Sequence, residues 1–375
     1  MRFSTLIPGV LLTAASLSAA APSSHTKDHS HGDHSPISPK AFIISMNWSL
    51  FQFSYEQDIW FEPLKLTKNI TVPGLSPIYP QVHCTADYSI CQMTTGEGEI
   101  NAAVSATALT FSPLFDLRKT YFMIAGIAGI NPYVSTIGAV TFGRFAVQLE
   151  LEYEIDAREM PSNFSTGLWA LGTTAPGLYP TSIYGTEVFE LNVNLRDKAM
   201  KLAHGVKLND SDTAAAYRKK YNYAPANKYP TIVACDTGSS NAYWSGELLG
   251  ESFGNFTKLL TSGKGTYCAT AQEDNATLEA MLRAHMAKRM DFARVVLLRS
   301  ASDFDRPPPG ETTLFNLVYA DQGSFGISLE NIVIAGSPFI KDVVKNWHEY
   351  EGGIAPSNYI GDIWGSLGGK PDFGQ

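Results

Sequence analysis

Apolar residues along this chain fall into two rhythms, a period of two over short stretches and one near 3.6 over longer ones. Ala41–Met46 (AFIISM) has the length and β-branched content of a buried strand. From Gly98 to Leu114 the positions Ile100, Ala103, Val104, Thr107, Phe111 and Leu114 recur at helical spacing, so the TGEG turn before them is predicted to open an amphipathic helix. Tyr121–Ile127 reads as a strand that ends in a second glycine turn, and Val140–Ile155 alternates through AVQLELEYEI as a half-exposed strand or hairpin. Thr186–Ala203 and Thr213–Tyr221 read as helices, with Asn209–Asp212 as the loop and N-cap between them. Thr231–Cys235 is predicted as a short buried strand running into a turn over Asp236–Asn241. Thr266–Ala269 and Val295–Leu298 follow as strands joined by a helix over Leu278–Met290, with Leu278, Met281, Leu282 and His285 on one face. Strands alternating with helices imply an α/β fold, a mixed central sheet flanked by helices on both faces. Glycine turns at two strand ends would set two backbone cradles around one crevice, where open α/β sheets bind small molecules.

Length alone leaves room for about two domains of ~150 residues, but the even alternation of elements favours a single one over residues 39–375. Apolar content of 44% against 17% charged describes a chain able to bury a large core. A formal charge of −8 with no basic run argues against nucleic acid as a partner, since phosphate neutralisation needs clustered Lys and Arg. Residues 1–20 read as a secretory signal peptide: Arg2 supplies the charge, Leu6–Ala15 the apolar stretch and Ala19-Ala20 a small-residue cleavage site. Residues 21–38 form a polar leader carrying four of the eight histidines, read as a solvated disordered segment rather than a metal site because nothing packs behind the ligands. No later apolar run reaches about 20 residues, the length a spanning helix needs. Six Asn-x-Ser/Thr sequons, at Asn47, Asn69, Asn163, Asn209, Asn255 and Asn275, agree with export, so the expected location is the secretory pathway, secreted or at the cell surface or wall. Among four cysteines, Cys84 and Cys91 close a short loop and are the preferred disulfide pair.

Five strings in order, TGEGEINAA, IAGIAGIN, SSNAYW, AQEDNA and LRSASD, resemble the motifs of the nucleoside phosphorylase fold family, particularly its purine nucleosidase branch. The whole chain is similar to the fungal purine nucleoside permease family. This resemblance implies a nucleoside phosphorylase-like domain and purine nucleosides as ligands. Asp303 matches the acid that donates to purine N7, a role suited to a leaving group that gathers negative charge. Ser302 would orient Asp303, Glu273 would hold the ribose hydroxyls with Asp274 as the adjacent alternative, and Tyr243 would stack on the base. Arg299 is as ready for a structural ion pair as for ligand. Gly96 and the Gly126, Ile127, Ala128 segment would offer backbone groups, and Asn241 stands where relatives of that fold carry an acid. Glu56 falls near the place of the glutamate that activates water, across an enlarged loop at Asn47–Phe53. No phosphate-binding Gly-x-Pro-x-Arg loop is present, so the resemblance implies hydrolysis rather than phosphorolysis, without metal or organic cofactor. Homo-oligomers are common in that fold. The alternative is a non-catalytic permease component that binds nucleosides for uptake, with a membrane partner because this chain has no spanning segment of its own.

Overall fold

The computed structural model describes residues 35–46 and 55–374. The signal segment, most of the His-rich leader and the Asn47–Phe53 loop lie outside the described residues. Strands in chain order are β1 (Ala41–Ser45), β2 (Lys68–Thr71), β3 (Gln81–Cys84), β4 (Ile90–Thr94), β5 (Tyr121–Ile130), β6 (Val140–Gly143), β7 (Phe145–Gln148) and β8 (Glu152–Glu154). They continue as β9 (Leu168–Ala170), β10 (Val188–Glu190), β11 (Ile232–Ala234), β12 (Asp236–Ser239), β13 (Tyr267–Ala271), β14 (Val295–Phe304) and β15 (Gly361–Asp362). The helices are α1 (Tyr55–Asp58), α2 (Phe61–Leu64), α3 (Glu99–Phe111), α4 (Val193–Ala203) and α5 (Asp212–Arg218). After them come α6 (Glu247–Leu260), α7 (Asp274–Met286), α8 (Thr313–Val318), α9 (Phe325–Lys345) and α10 (Trp347–Tyr350).

Period two along the central strands divides the core into two layers. Phe42, Ile44, Phe122, Ile124 and Leu297 point to one face, against Ala106 and Leu109 of α3 and Leu278 and Met281 of α7. Their neighbours Ile43, Met123, Val296 and Leu298 point to the other, against Leu195 and Ala199 of α4 and Ile332, Phe339 and Ile340 of α9. Strand β1 lies between β4 and β5, parallel to both, and β5 is parallel to β14. The pairs β2–β3, β3–β4, β14–β6 and β10–β7 are antiparallel, so the sheet is mixed and covered by helices on both faces. Disulfides Cys84–Cys91 and Cys235–Cys268 staple β3 to β4 and the entry of β12 to β13.

Several expectations change. The helix after the TGEG turn forms, but it buries Ala102, Ser105, Ala106, Leu109 and Thr110, while Ile100 is 80% and Val104 56% exposed. Small residues let α3 and α7 approach closely, so the large apolar stripe faces away from the core. Strand β5 does not stop at a glycine turn; it runs through Gly126 and Gly129 to Ile130. Thr186–Ala203 is two elements, β10 and then α4, whose cap Asn192 accepts from the Asn194 and Leu195 N–H groups. The turn expected at Asp236 is strand β12, because the buried Asp236 carboxylate accepts from Arg144, Phe145 and Thr266 N–H and ties neighbouring strands to it. Strand β11 is only half-buried to exposed. Val140–Ile155 breaks into β6, β7 and β8, the first two largely buried. Asn275 is 1% exposed inside α7, which removes it as a glycan acceptor in the folded chain; Asn69, Asn163, Asn209 and Asn255 are exposed.

Phe339 is fully buried, edge-on to the rings of Tyr121 and Tyr350. Phe339→Ala is expected to lower unfolding free energy by ~3–5 kcal/mol, read as a reduced urea midpoint at unchanged slope.

Candidate functional site

Strands β5 and β14 keep parallel register as far as Ala128–Ala301, where β14 takes in one extra residue, Ser302, before Asp303 pairs with Gly129. A bulge re-aims the side chain that follows it, and Asp303 lines a cavity of about 380 Å³. The ends of β5, β13 and β14, the TGEG turn and the residue before α7 all contribute to its walls. A Cβ at Gly129 would lie 2.9 Å from Asp303 Oδ1, and one at Gly126 would lie 2.5 Å from Arg299 Nη1 and 3.0 Å from Glu56 Oε1. These glycines serve close approach of side chains to a strand, not a turn.

Arg299 of β14 is 1% exposed. Its guanidinium bonds both oxygens of Asp274, reaches Glu273 Oε2 at 3.3 Å, and donates through Nη1 to the Ile127 carbonyl at 3.2 Å. Glu273 lines the cavity and accepts the Gly98 N–H at 3.0 Å, whereas Asp274 turns away to hold Arg299. Glu56, buried in α1, accepts the Ile127 N–H at 2.5 Å. Tyr243 has a 62% exposed side chain and donates its hydroxyl to Asp303 Oδ2 at 3.1 Å. The Ser302 hydroxyl lies 2.8 Å from the same oxygen.

The structure thus brings Asp303, Glu56, Ile127, Ala128, Tyr243, Glu273 and Ser302 onto one cavity. Gly126 stands behind it, making room for Arg299 and Glu56. Gly96 is a buried turn residue at φ 86°, which shapes the TGEG turn without lining the cavity. Asn241 is also outside the walls; its Oδ1 caps the Glu99 N–H at 2.9 Å while its own N–H groups hold Glu150. Glu97, Thr270, Gln272, Leu317 and Phe325 line the cavity unforeseen. Glu97 sits inside the TGEG string and was available to a closer reading of it, but Leu317 and Phe325 follow every motif and nothing in the sequence points to them.

Burial pushes the Glu56 carboxyl up to about 7, against the pull of the Ile127 N–H and Arg299 and with help from Glu273 and Glu97. Burial likewise raises Asp303 to about 6, opposed by its hydrogen bonds from Ser302 and Tyr243. Glu273 is raised by burial despite Arg299. The cavity therefore holds two acids that exchange protons near neutrality, beside a third that is anchored. Among the described residues no group of three His, Cys, Asp or Glu side chains is placed to hold a metal ion.

A family profile described as purine nucleoside permease matches residues 38–355. The chain belongs to the purine nucleoside permease family. Within that family, a Candida albicans protein named purine nucleoside permease is 49% identical over 344 residues, covering 90% of this chain and 83% of its own length. A Schizosaccharomyces pombe protein named probable purine nucleoside permease is 43% identical over 326 residues, covering 84% and 92%. Among solved structures, a Neisseria meningitidis 5'-methylthioadenosine/S-adenosylhomocysteine nucleosidase superposes with a TM-score of 0.47 at 14% identity, over 82% of this chain and 99% of its own. A futalosine hydrolase of Helicobacter pylori gives 0.47 at 13%, over 82% and 98%. Superpositions this loose assign no role to any residue; membership of the permease family rests on the sequence matches. No helix among the described residues of this permease-family chain is long and apolar enough to cross a membrane.

The glycine requirement at β5 is testable by contrast. Gly126→Ala must displace the Arg299 guanidinium and is expected to destabilise by ~1–3 kcal/mol. Gly326→Ala, in α9 with open space where its Cβ would go, is expected to be neutral or to stabilise by up to about 1 kcal/mol. Denaturant midpoints of the two variants measure the difference.

Proposed function

We propose that this chain binds purine nucleosides in the cavity at the ends of β5 and β14 and cleaves their N-ribosidic bond with water. The observation that carries this reading is the presence of Asp303 and Glu56 in one cavity with protonation levels of about 6 and about 7. Glu56 takes a proton from water, the water oxygen bonds to C1′ as the C1′–N9 bond breaks, and Asp303 gives its proton to N7 of the departing purine. Free base and ribose are the products, and a proton passed from Glu56 back to Asp303 through solvent restores the site. Glu273, fixed by Arg299 and the Gly98 N–H, is suited to accept from the ribose hydroxyls.

Phosphate is poorly served here. Among the described residues Arg299 is the one cation lining the cavity, and Asp274, Glu273 and the Ile127 carbonyl already use most of its donors. Residues 47–54 add no Lys or Arg. Membership in a family of permeases supports a second reading, capture of nucleosides for uptake without cleavage. The signal-like segment and the two disulfides support action in the secretory route or at the cell surface.

Purified chain incubated with inosine, adenosine or guanosine, with and without phosphate, separates these readings by chromatography of free base. Hydrolysis predicts base release without phosphate, with Asp303→Asn lowering kcat by ~10²–10⁴-fold in a folded protein. Release only with phosphate would mean phosphorolysis, and binding without release in either buffer would leave the carrier. The productive form has Asp303 protonated and Glu56 ionised. Asp303 loses its proton above about 6 and Glu56 gains one below about 7, so the rate is expected to peak between these values and fall on both sides, the limbs belonging to the pair. Glu56→Gln should abolish the acid limb.

A further inference from the structure

Away from that site, β8, β9 and α6 enclose a second cavity of about 420 Å³, which shares no lining residue with the first. Leu168 and Trp169 of β9 and Phe256 and Leu259 of α6 give it apolar walls, and Glu152 of β8 lies among them. Glu152 is half-buried, and its Oε2 is removed from solvent with no hydrogen-bond partner among the described residues. Glu190 and Glu311 also keep one such oxygen, but Glu190 is held by Arg144 and Asn358 and Glu311 by Lys220 through the other. Glu152 has no such cation, and burial alone pushes its carboxyl up to about 8. The other charged group on these walls is Glu251, engaged by Arg306 at 2.9 Å; among the described residues no Lys or Arg lines the cavity.

A carboxyl oxygen kept out of water without a partner destabilises the chain unless a ligand completes it. An anion would meet the Glu251 carboxylate and no unengaged cation among the described lining residues, and a purely apolar guest would leave Glu152 as it is. Glu152 pairs with Ala170 of β9, so its side chain shares a face with Ala170 and Leu168, and the same cavity is walled by Phe256 and Leu259 of α6. The geometry points to a second binding site for a small organic cation, its ammonium head on Glu152 and its apolar body against Leu168 and Phe256. The cavity volume falls within the ~300–1,000 Å³ usual for small-molecule sites.

Calorimetric titration of the full chain with 2-phenylethylammonium at pH 7 is expected to show saturable binding. Ionisation of Glu152 on binding should release protons to the buffer, so the heat should change with the buffer's ionisation enthalpy. Glu152→Gln, and the neutral 2-phenylethanol on the unaltered chain, should each bind about tenfold or more weakly, and inosine should not compete. Leu168→Ala should also weaken the probe while the Asp303→Asn chain binds it normally. No saturable heat from a folded protein overturns the inference, as does full affinity in folded Glu152→Gln, equal affinity for the alcohol, or displacement by inosine. None of these outcomes depends on whether nucleosides are cleaved.

Discussion

Arg299 is a charge taken almost entirely out of water, and the elements around the cavity are arranged to keep it paired. Removing a guanidinium from solvent is repaid only when its donors find acceptors in good geometry. Asp274 at the start of α7 takes one edge, Glu273 and the Ile127 carbonyl take what remains. Strand β14, strand β5 and the entry to α7 are therefore fixed to one another through a single side chain. The tie extends further, because Glu273 also accepts the Gly98 N–H just before α3. Asn241, beyond β12, closes the same turn by accepting from Glu99. A helix start, two strand ends and a second helix start thus share one hydrogen-bonded junction, and the cavity is the space beside it.

That junction also explains the acids. Asp274 neutralises Arg299 most directly, so little of its positive charge is left to hold Glu56 and Asp303 ionised. Their carboxyls are instead governed by burial, which raises both toward neutrality. Gly126 and Gly129 permit this: with a Cβ at these positions neither carboxylate could sit so near the strand. Most of the guanidinium donors are taken up in the same junction, by Asp274, Glu273 and the Ile127 carbonyl.

The order of elements was legible because period two and period 3.6 are set by burial, and burial dominates the central strands and α7. The face of α3 was not. Large apolar residues draw a stripe through Ile100 and Val104, but close contact with α7 favours Ala102 and Ala106, and hydrophobicity alone cannot distinguish packing by smallness from packing by size. Gly126 and Gly129 looked like a turn because a sequence does not tell a glycine needed for its backbone angles from one needed for a neighbour's side chain. Asp303, Glu273 and Tyr243 were legible as cavity residues through motif resemblance, but the bond from the Tyr243 hydroxyl to Asp303 was not. Leu317 and Phe325 were illegible because they reach the cavity only through the path of α8 and α9, which tertiary packing determines.

The choice between a carrier and a hydrolase can be put in terms of desolvation. A carrier for neutral nucleosides needs donors and acceptors, which Asn and Gln provide without the penalty of burying an ionisable group. Carboxyls at Asp303 and Glu56 are the less stable choice, and their displaced protonation is what general acid and base work requires. At Glu152 the consequence of desolvation differs. Glu56 has a backbone N–H and the field of Arg299 to temper its burial, and Asp303 has two hydroxyls. Glu152 has nothing of the kind. Where the protein supplies partial compensation, the acid is poised to exchange a proton; where it supplies none, the missing partner is best sought outside the chain, as a cation.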